Sequence, residues 1–177
     1  MKTAAIFAST LAFGTALATE EAFKLVASKP GSAINGKYLN VNNGFFYIGK
    51  RTNSTCGDIA PVFQSGNEGW LAMYADGKEN QQQVYVDISG AADGLLSFTE
   101  PVVEVTNLDR ITDQFNRTAD GKLEYAGAAW LACPQAEGEY MVYPEKAYSK
   151  TVGQDKCTEF EVSTKKVRTP KIVCVYH

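Results

Sequence analysis

Histidine is nearly missing from this chain: the only one is His177, the last residue. A nucleophilic serine or cysteine therefore has no internal imidazole to activate it, and a base on a normally frayed chain end is a poor substitute. Zinc and copper centres lose their commonest ligand in the same way. The four cysteines, Cys56, Cys133, Cys157 and Cys174, include no C-x-x-C spacing, which removes the usual sulfur-only zinc motif. Basic blocks are also missing, so nucleic acid is not an expected partner. No segment holds a helical apolar period for three turns, and none is long and apolar enough to span a bilayer. No metal, cofactor or membrane partner is expected.

What is present begins with the leading stretch MKTAAIFASTLAFGTALA. One positive charge at Lys2, an apolar run from Ala4 to Phe13 and the small residues Ala16 and Ala18 form the pattern of a secretory signal peptide. Residues 1–18 are expected to be removed, leaving one secreted β-rich domain over residues 19–177. Without Lys2 that domain carries 16 basic and 20 acidic residues, a net charge of −4 with the signs interspersed. The closing PKIVCVYH is too short for the hydrophobic tail of a lipid-anchor signal.

Secretion changes the meaning of the cysteines. An even number in an oxidising compartment reads as two disulfides, and Cys133 after the apolar run AAWLA is then structural rather than reactive. Of three possible pairings, Cys133 with Cys157 and Cys56 with Cys174 is favoured. The first closes a loop of about 25 residues and the second ties down the C-terminal strand. Asn53 in NST and Asn116 in NRT match the N-glycosylation pattern in turn-like surroundings, although such matches also arise by chance.

Short apolar runs such as AFKLVA, FFYIG, QVYVDI, AWLAC, YMVY and TEFEV recur along the chain, separated by NNG, SGNEG, SGAADG, TADG and AEGEY. This spacing predicts an all-β, single-domain antiparallel β-barrel, or a β-trefoil-like barrel, of about 12 short strands stabilised by disulfides. In TEFEVS, Phe160 and Val162 share one face and Glu159 and Glu161 the other. In QVYVDI, Val84, Val86 and Ile88 share a face, opposite Tyr85 and Asp87. The segments from Gly69 to Phe98 and from Gly121 to Tyr143 form a weak internal repeat of three strands each.

Two kinds of site fit these residues. Asp87, Glu100, Glu104, Asp109 and Asp113 are candidates for a carbohydrate-active hydrolase, if two of them face each other across a cleft. Against that, 20 acidic residues make such candidates commonplace, and a solvent-facing or turn-bonding role is the simpler reading of Asp87. Trp70, Trp130 and Tyr85 are candidates for stacking against a sugar. Each tryptophan also neighbours a leucine at a matching place in the repeat, which favours a core role for at least one.

The strand pair containing VYVDISGAADGLLSF, followed by the ADGKLEYAGAAWLACP block ending at Cys133 and Pro134, resembles the fungal secreted PhiA-type cell wall proteins, a family that includes conidial antigens and allergens. The likeness covers roughly Phe23 to Val162, and the chain departs from the pattern in lacking a cysteine near its mature N-terminus. The resemblance implies a small β-rich wall or extracellular protein with no catalytic motif. Taken with secretion and the aromatic hairpins, it leads to a non-enzymatic monomer contacting wall polysaccharide non-covalently. A secreted inhibitor or effector acting through its β-hairpin loops is the alternative.

Overall fold

The computed structural model describes residues 21–75, 81–149, 156–168, 170 and 173–177. The expected signal peptide lies outside the described residues. Within them there are thirteen strands and no helix. The first five are β1 (Phe23–Ser28), β2 (Leu39–Asn42), β3 (Phe45–Ile48), β4 (Phe63–Ser65) and β5 (Leu71–Met73). β6 (Val84–Asp87), β7 (Leu95–Phe98), β8 (Arg110–Ile111) and β9 (Phe115–Arg117) follow. β10 (Lys122–Tyr125), β11 (Trp130–Ala136), β12 (Glu139–Pro144) and β13 (Thr158–Lys166) complete the series.

All the strands join one antiparallel sheet, curled into a half-barrel, in the order β5-β4-β1-β13-β11-β12-β3-β7-β6-β8. β2 lies beside β3, and β10 with β9 branches from β13. A β-bridge between Ala72 and Gln83, with the Met73 N–H reaching the Gln82 carbonyl at 3.0 Å, brings β5 to the start of β6. The all-β, disulfide-stabilised architecture expected from the turn spacing is therefore what forms.

The longest strand organises the rest. β13 pairs with β1 over six residues, with β11 from Thr158 to Phe160, and with β10 at Val162 and Ser163. Its alternation buries Phe160 and Val162 and leaves Glu159 and Glu161 exposed. Period-two alternation of this kind puts one set of side chains on each face of the sheet. The core takes the apolar set as a single cluster, with Phe63 stacked between Phe23 and Phe46 at centroid separations of 6.4 and 6.0 Å. Each fully buried ring of this size is worth roughly 1.5–3 kcal/mol of transfer free energy.

Local chemistry sets the hairpins. Asn43 and Gly44 join β2 to β3 with φ of 51° and 81°. Two consecutive left-handed residues match a type I′ turn, whose twist suits the flanking strands, and Asn-Gly adopts it most readily. One expected face ends early: Val84 and Val86 are buried, but β6 stops at Asp87 and Ile88 is 48% exposed. The Ile88 N–H still meets the Asp109 carbonyl, at 2.8 Å and in register with β8, but its side chain lies at the surface.

Both disulfides act as staples. Cys133, fully buried on β11, is bonded to Cys157 immediately before β13. Cys56 is bonded to Cys174 across 118 positions, fixing the C-terminal segment beside residues 53–55.

Candidate functional site

Among the described residues, three segments meet around a cleft of about 1190 Å³. The first is the tight connection between β4 and β5, in which the Gly69 N–H bonds the Gly66 carbonyl and the Gly66 N–H bonds the Trp70 carbonyl, both at 3.3 Å. The second is the approach to β9, where the Phe115 N–H reaches the Gly69 carbonyl at 2.8 Å. The third is the Ala126–Gly127 turn, held by the Ala126 N–H to the Gln114 carbonyl at 2.9 Å. Both residues of that turn have positive φ, 50° and 72°.

Trp70 is placed in this cleft by the absence of a side chain beneath it. A Cβ on Gly66 would collide with Nε1 of the indole, so the ring lies directly over the Gly66 backbone. The ring stays half-buried, and its surroundings supply Asn67, Glu68, Asp113, Gln114 and Asn116. Amides and carboxylates beside an aromatic face can bond hydroxyl groups while the ring takes an apolar sugar face.

The floor of the cleft is electrostatically fixed. Glu21 bonds Lys166 and Arg117, and those two hydrogen bonds hold its carboxyl below the ordinary carboxylate range. Arg117 is itself anchored, with Nε donating to Thr164 Oγ1 at 3.0 Å and the guanidinium over the Phe23 ring at 4.8 Å. Glu68 and Asp113 make no ion pair among the described residues. Burial, then the Asp113 charge, raises the nearby Tyr125 phenol.

The structure separates the three stacking candidates. Trp130 is a core residue, 1% exposed, and its Nε1 donates to the Leu123 carbonyl at 2.6 Å, so it is withdrawn as a ligand platform. Tyr85 is 7% exposed and its ring is covered by Arg110 at 4.7 Å, which removes it as well. Trp70 alone of the three remains accessible. Of the other aromatics, Tyr125 and Tyr143 are buried, while Tyr74 and Tyr140 are partly exposed outside the cleft.

The acidic candidates occupy different surroundings. Burial pushes Asp87 up, but hydrogen bonds from the Ser89 hydroxyl and N–H and from Arg110 outweigh it and leave the carboxyl lowered. Glu100 lies 3.8 Å from His177, Glu104 lines a groove beside Gln83 and Thr112, and Asp113 lines the Trp70 cleft. Asp109 is exposed, its N–H bonded to Asn107 Oδ1. Among the described residues the carboxylates with a clear pKa displacement, Glu21, Asp58, Asp87 and Asp120, are all lowered, whereas a general acid needs one raised.

Both sequon asparagines are exposed. Asn53 donates its N–H to the Val41 carbonyl and accepts the His177 N–H, at 2.9 and 3.0 Å. Asn116 lies in the middle of β9 and lines the cleft.

One residue that sequence reasoning missed is Gln82, fully buried. Its Nε2 donates to the carbonyls of Thr99 and Tyr176 at 2.9 and 2.8 Å, and its Oε1 accepts the Tyr176 N–H at 2.8 Å. In sequence it is one of three consecutive glutamines with no apolar pattern to mark it.

The fold and cleft thus define a disulfide-stapled, all-β protein with one accessible tryptophan in a polar groove. Over residues 23–177 the chain matches the model of the PhiA-like secreted protein family, and it belongs to that family. It is 27% identical to the cell wall protein phiA of Emericella nidulans over 178 aligned positions, covering 98% of this chain and 96% of the relative. A second cell wall protein phiA, from Aspergillus niger, is 26% identical, with 92% and 89% covered. No solved structure matches.

Proposed function

We propose that this secreted protein is a non-enzymatic component of the fungal wall, held there by non-covalent contact between wall polysaccharide and the Trp70 cleft. The observation that carries the reading is the partly exposed indole seated on Gly66 and bordered by side-chain amides and carboxylates. The names of the relatives as cell wall proteins support the location. A single stacking contact is modest, so retention draws on the high local density of polymer and repeated rebinding.

The test is co-sedimentation of purified protein with isolated walls, β-glucan, chitin and chitosan. Trp70→Ala should lower retention several-fold. Gly66→Ala should do the same while keeping the indole, because the new methyl displaces the ring and Gly66 has no left-handed φ to forbid alanine. If both variants sediment like the wild type, the cleft is not the wall contact. Retention on chitosan alone should weaken with added salt, since charge attraction is screened.

A second reading has its own support. The loop between β7 and β8 exposes Val102 at 71% and Leu108 at 91%, and Val102 has φ of 58°. A β-branched residue in the left-handed region is a backbone outlier of the kind often found at functional loops. That favours a protein partner for this loop, and replacing Val102 and Leu108 with serine should abolish any such binding without touching wall retention.

A further inference from the structure

Alternation along β9 separates Asn116 from both its neighbours. Phe115 is buried against Tyr125, with centroids 5.3 Å apart, and Arg117 folds over Phe23, so Asn116 falls on the opposite, solvent-facing side. Among the described residues its strand is laddered on one edge only, with Asn116 opposite Glu124 of β10. The other edge borders the cleft, where Phe115 bonds Gly69 one residue from Trp70. Asn116 thus joins three independent features: an N-glycosylation triplet with Arg117 and Thr118, an exposed position, and a place in the wall of the Trp70 cleft.

We propose that Asn116 carries an N-linked glycan whose proximal sugars lie across the cleft and cover the Trp70 indole. In the transfer, the Asn116 amide nitrogen forms a C–N bond to the anomeric carbon of the reducing-end N-acetylglucosamine. The bond from that carbon to a lipid pyrophosphate donor breaks, and the lipid pyrophosphate leaves with the bonding pair as the amide gives up a proton. The step precedes folding. In the folded chain the Thr118 hydroxyl bonds Asp120 and accepts the Lys122 N–H at 3.0 Å, and the strand ladder fixes the Asn116 backbone. Once formed, the glycan and an external wall polymer compete for one ring, a consequence that rests on the polysaccharide reading above; the shielding itself does not.

The two tryptophans make the test direct, because Trp130 is buried and any quenching by a small neutral solute reports Trp70. Protein secreted by a filamentous fungal host is compared with Asn116→Gln, with Asn53→Gln and with enzymatically deglycosylated protein. Peptide mass analysis should find the glycan on Asn116. Removing it should raise acrylamide quenching of Trp70 by roughly two-fold, since a stacked sugar covers one face of the ring. Asn53→Gln should match the wild type, because Asn53 does not line the cleft. An unmodified Asn116 in the secreted protein, or a modified one whose removal leaves quenching unchanged, overturns the proposal. If shielding is seen but Asn116→Gln does not increase wall retention, the polysaccharide reading fails and the glycan assignment stands.

Discussion

At the scale of single residues, the two tryptophans divide the labour. Both adjoin a leucine in corresponding parts of a weak repeat, and the sequence offers no means of telling which is core. Gly66 decides it for Trp70, whose ring rests on bare backbone at the surface, whereas Trp130 falls on the inward face of β11. Gln82 is the opposite case, a polar residue in a polar run that becomes a buried clamp on the C-terminal segment. Gln82→Leu removes both donors and the acceptor at once, stranding the Thr99 carbonyl and both backbone groups of Tyr176. Unpaired buried groups cost about 1–3 kcal/mol each, so a loss of about 3 kcal/mol is expected in urea unfolding. A midpoint unchanged from wild type would mean that the clamp is replaceable. A core role for one tryptophan was legible beforehand, but the Gln82 clamp was not, because burial of a glutamine depends on a residue 94 positions away.

At the scale of elements, far more could be read in advance. Turn residues between apolar runs mark most strand ends, and Asn43–Gly44 sets its hairpin with no outside help. Alternation assigns the faces of β13 correctly, yet it overruns at Ile88, which is exposed although its N–H still meets the Asp109 carbonyl in register with β8. Local pattern cannot see where the buried face ends. The staples also differ in reach, with separations of 24 and 118. In the chain-entropy account, replacing Cys133 and Cys157 by alanine should cost about 3.5 kcal/mol, and replacing Cys56 and Cys174 about 5 kcal/mol. Denaturant titration of the two double variants checks the order. Equal losses, or a larger loss for the shorter loop, would point to residual structure or to packing around Cys133 instead.

At the scale of the whole molecule, the lowered carboxylates set the response to acid. Glu21 is lowered by its bonds to Lys166 and Arg117, Asp58 by the Thr52 N–H and Arg51, and Asp120 by the Thr118 hydroxyl. Asp87 joins them despite its burial. Their folded values lie below the unfolded ones, so this stabilisation is complete above the ordinary carboxylate range near ~4 and is lost as pH falls through the lowered values. Thermal unfolding should therefore be nearly flat from neutrality down to that range and fall below it, modestly, because the Asp58 and Asp120 partnerships are exposed and screened. A melting temperature that drops well above pH 5 would implicate other groups. Secretion and the β-rich class were legible from the pattern of the first 18 residues, the cysteine count and the turn spacing. The cleft was not, since it joins Gly66, Asp113 and Gly127, segments that only the folded sheet brings together. The most direct measurement is a fluorescence titration of Asn116→Gln protein, free of any glycan on the cleft, with soluble β-glucan, chitin and chitosan oligosaccharides. A saturable change in tryptophan emission with at least one of them, absent when Trp70→Phe is added, is the predicted result. A flat titration with all three, or the same saturable change without Trp70, would contradict the claim that this cleft holds wall polysaccharide.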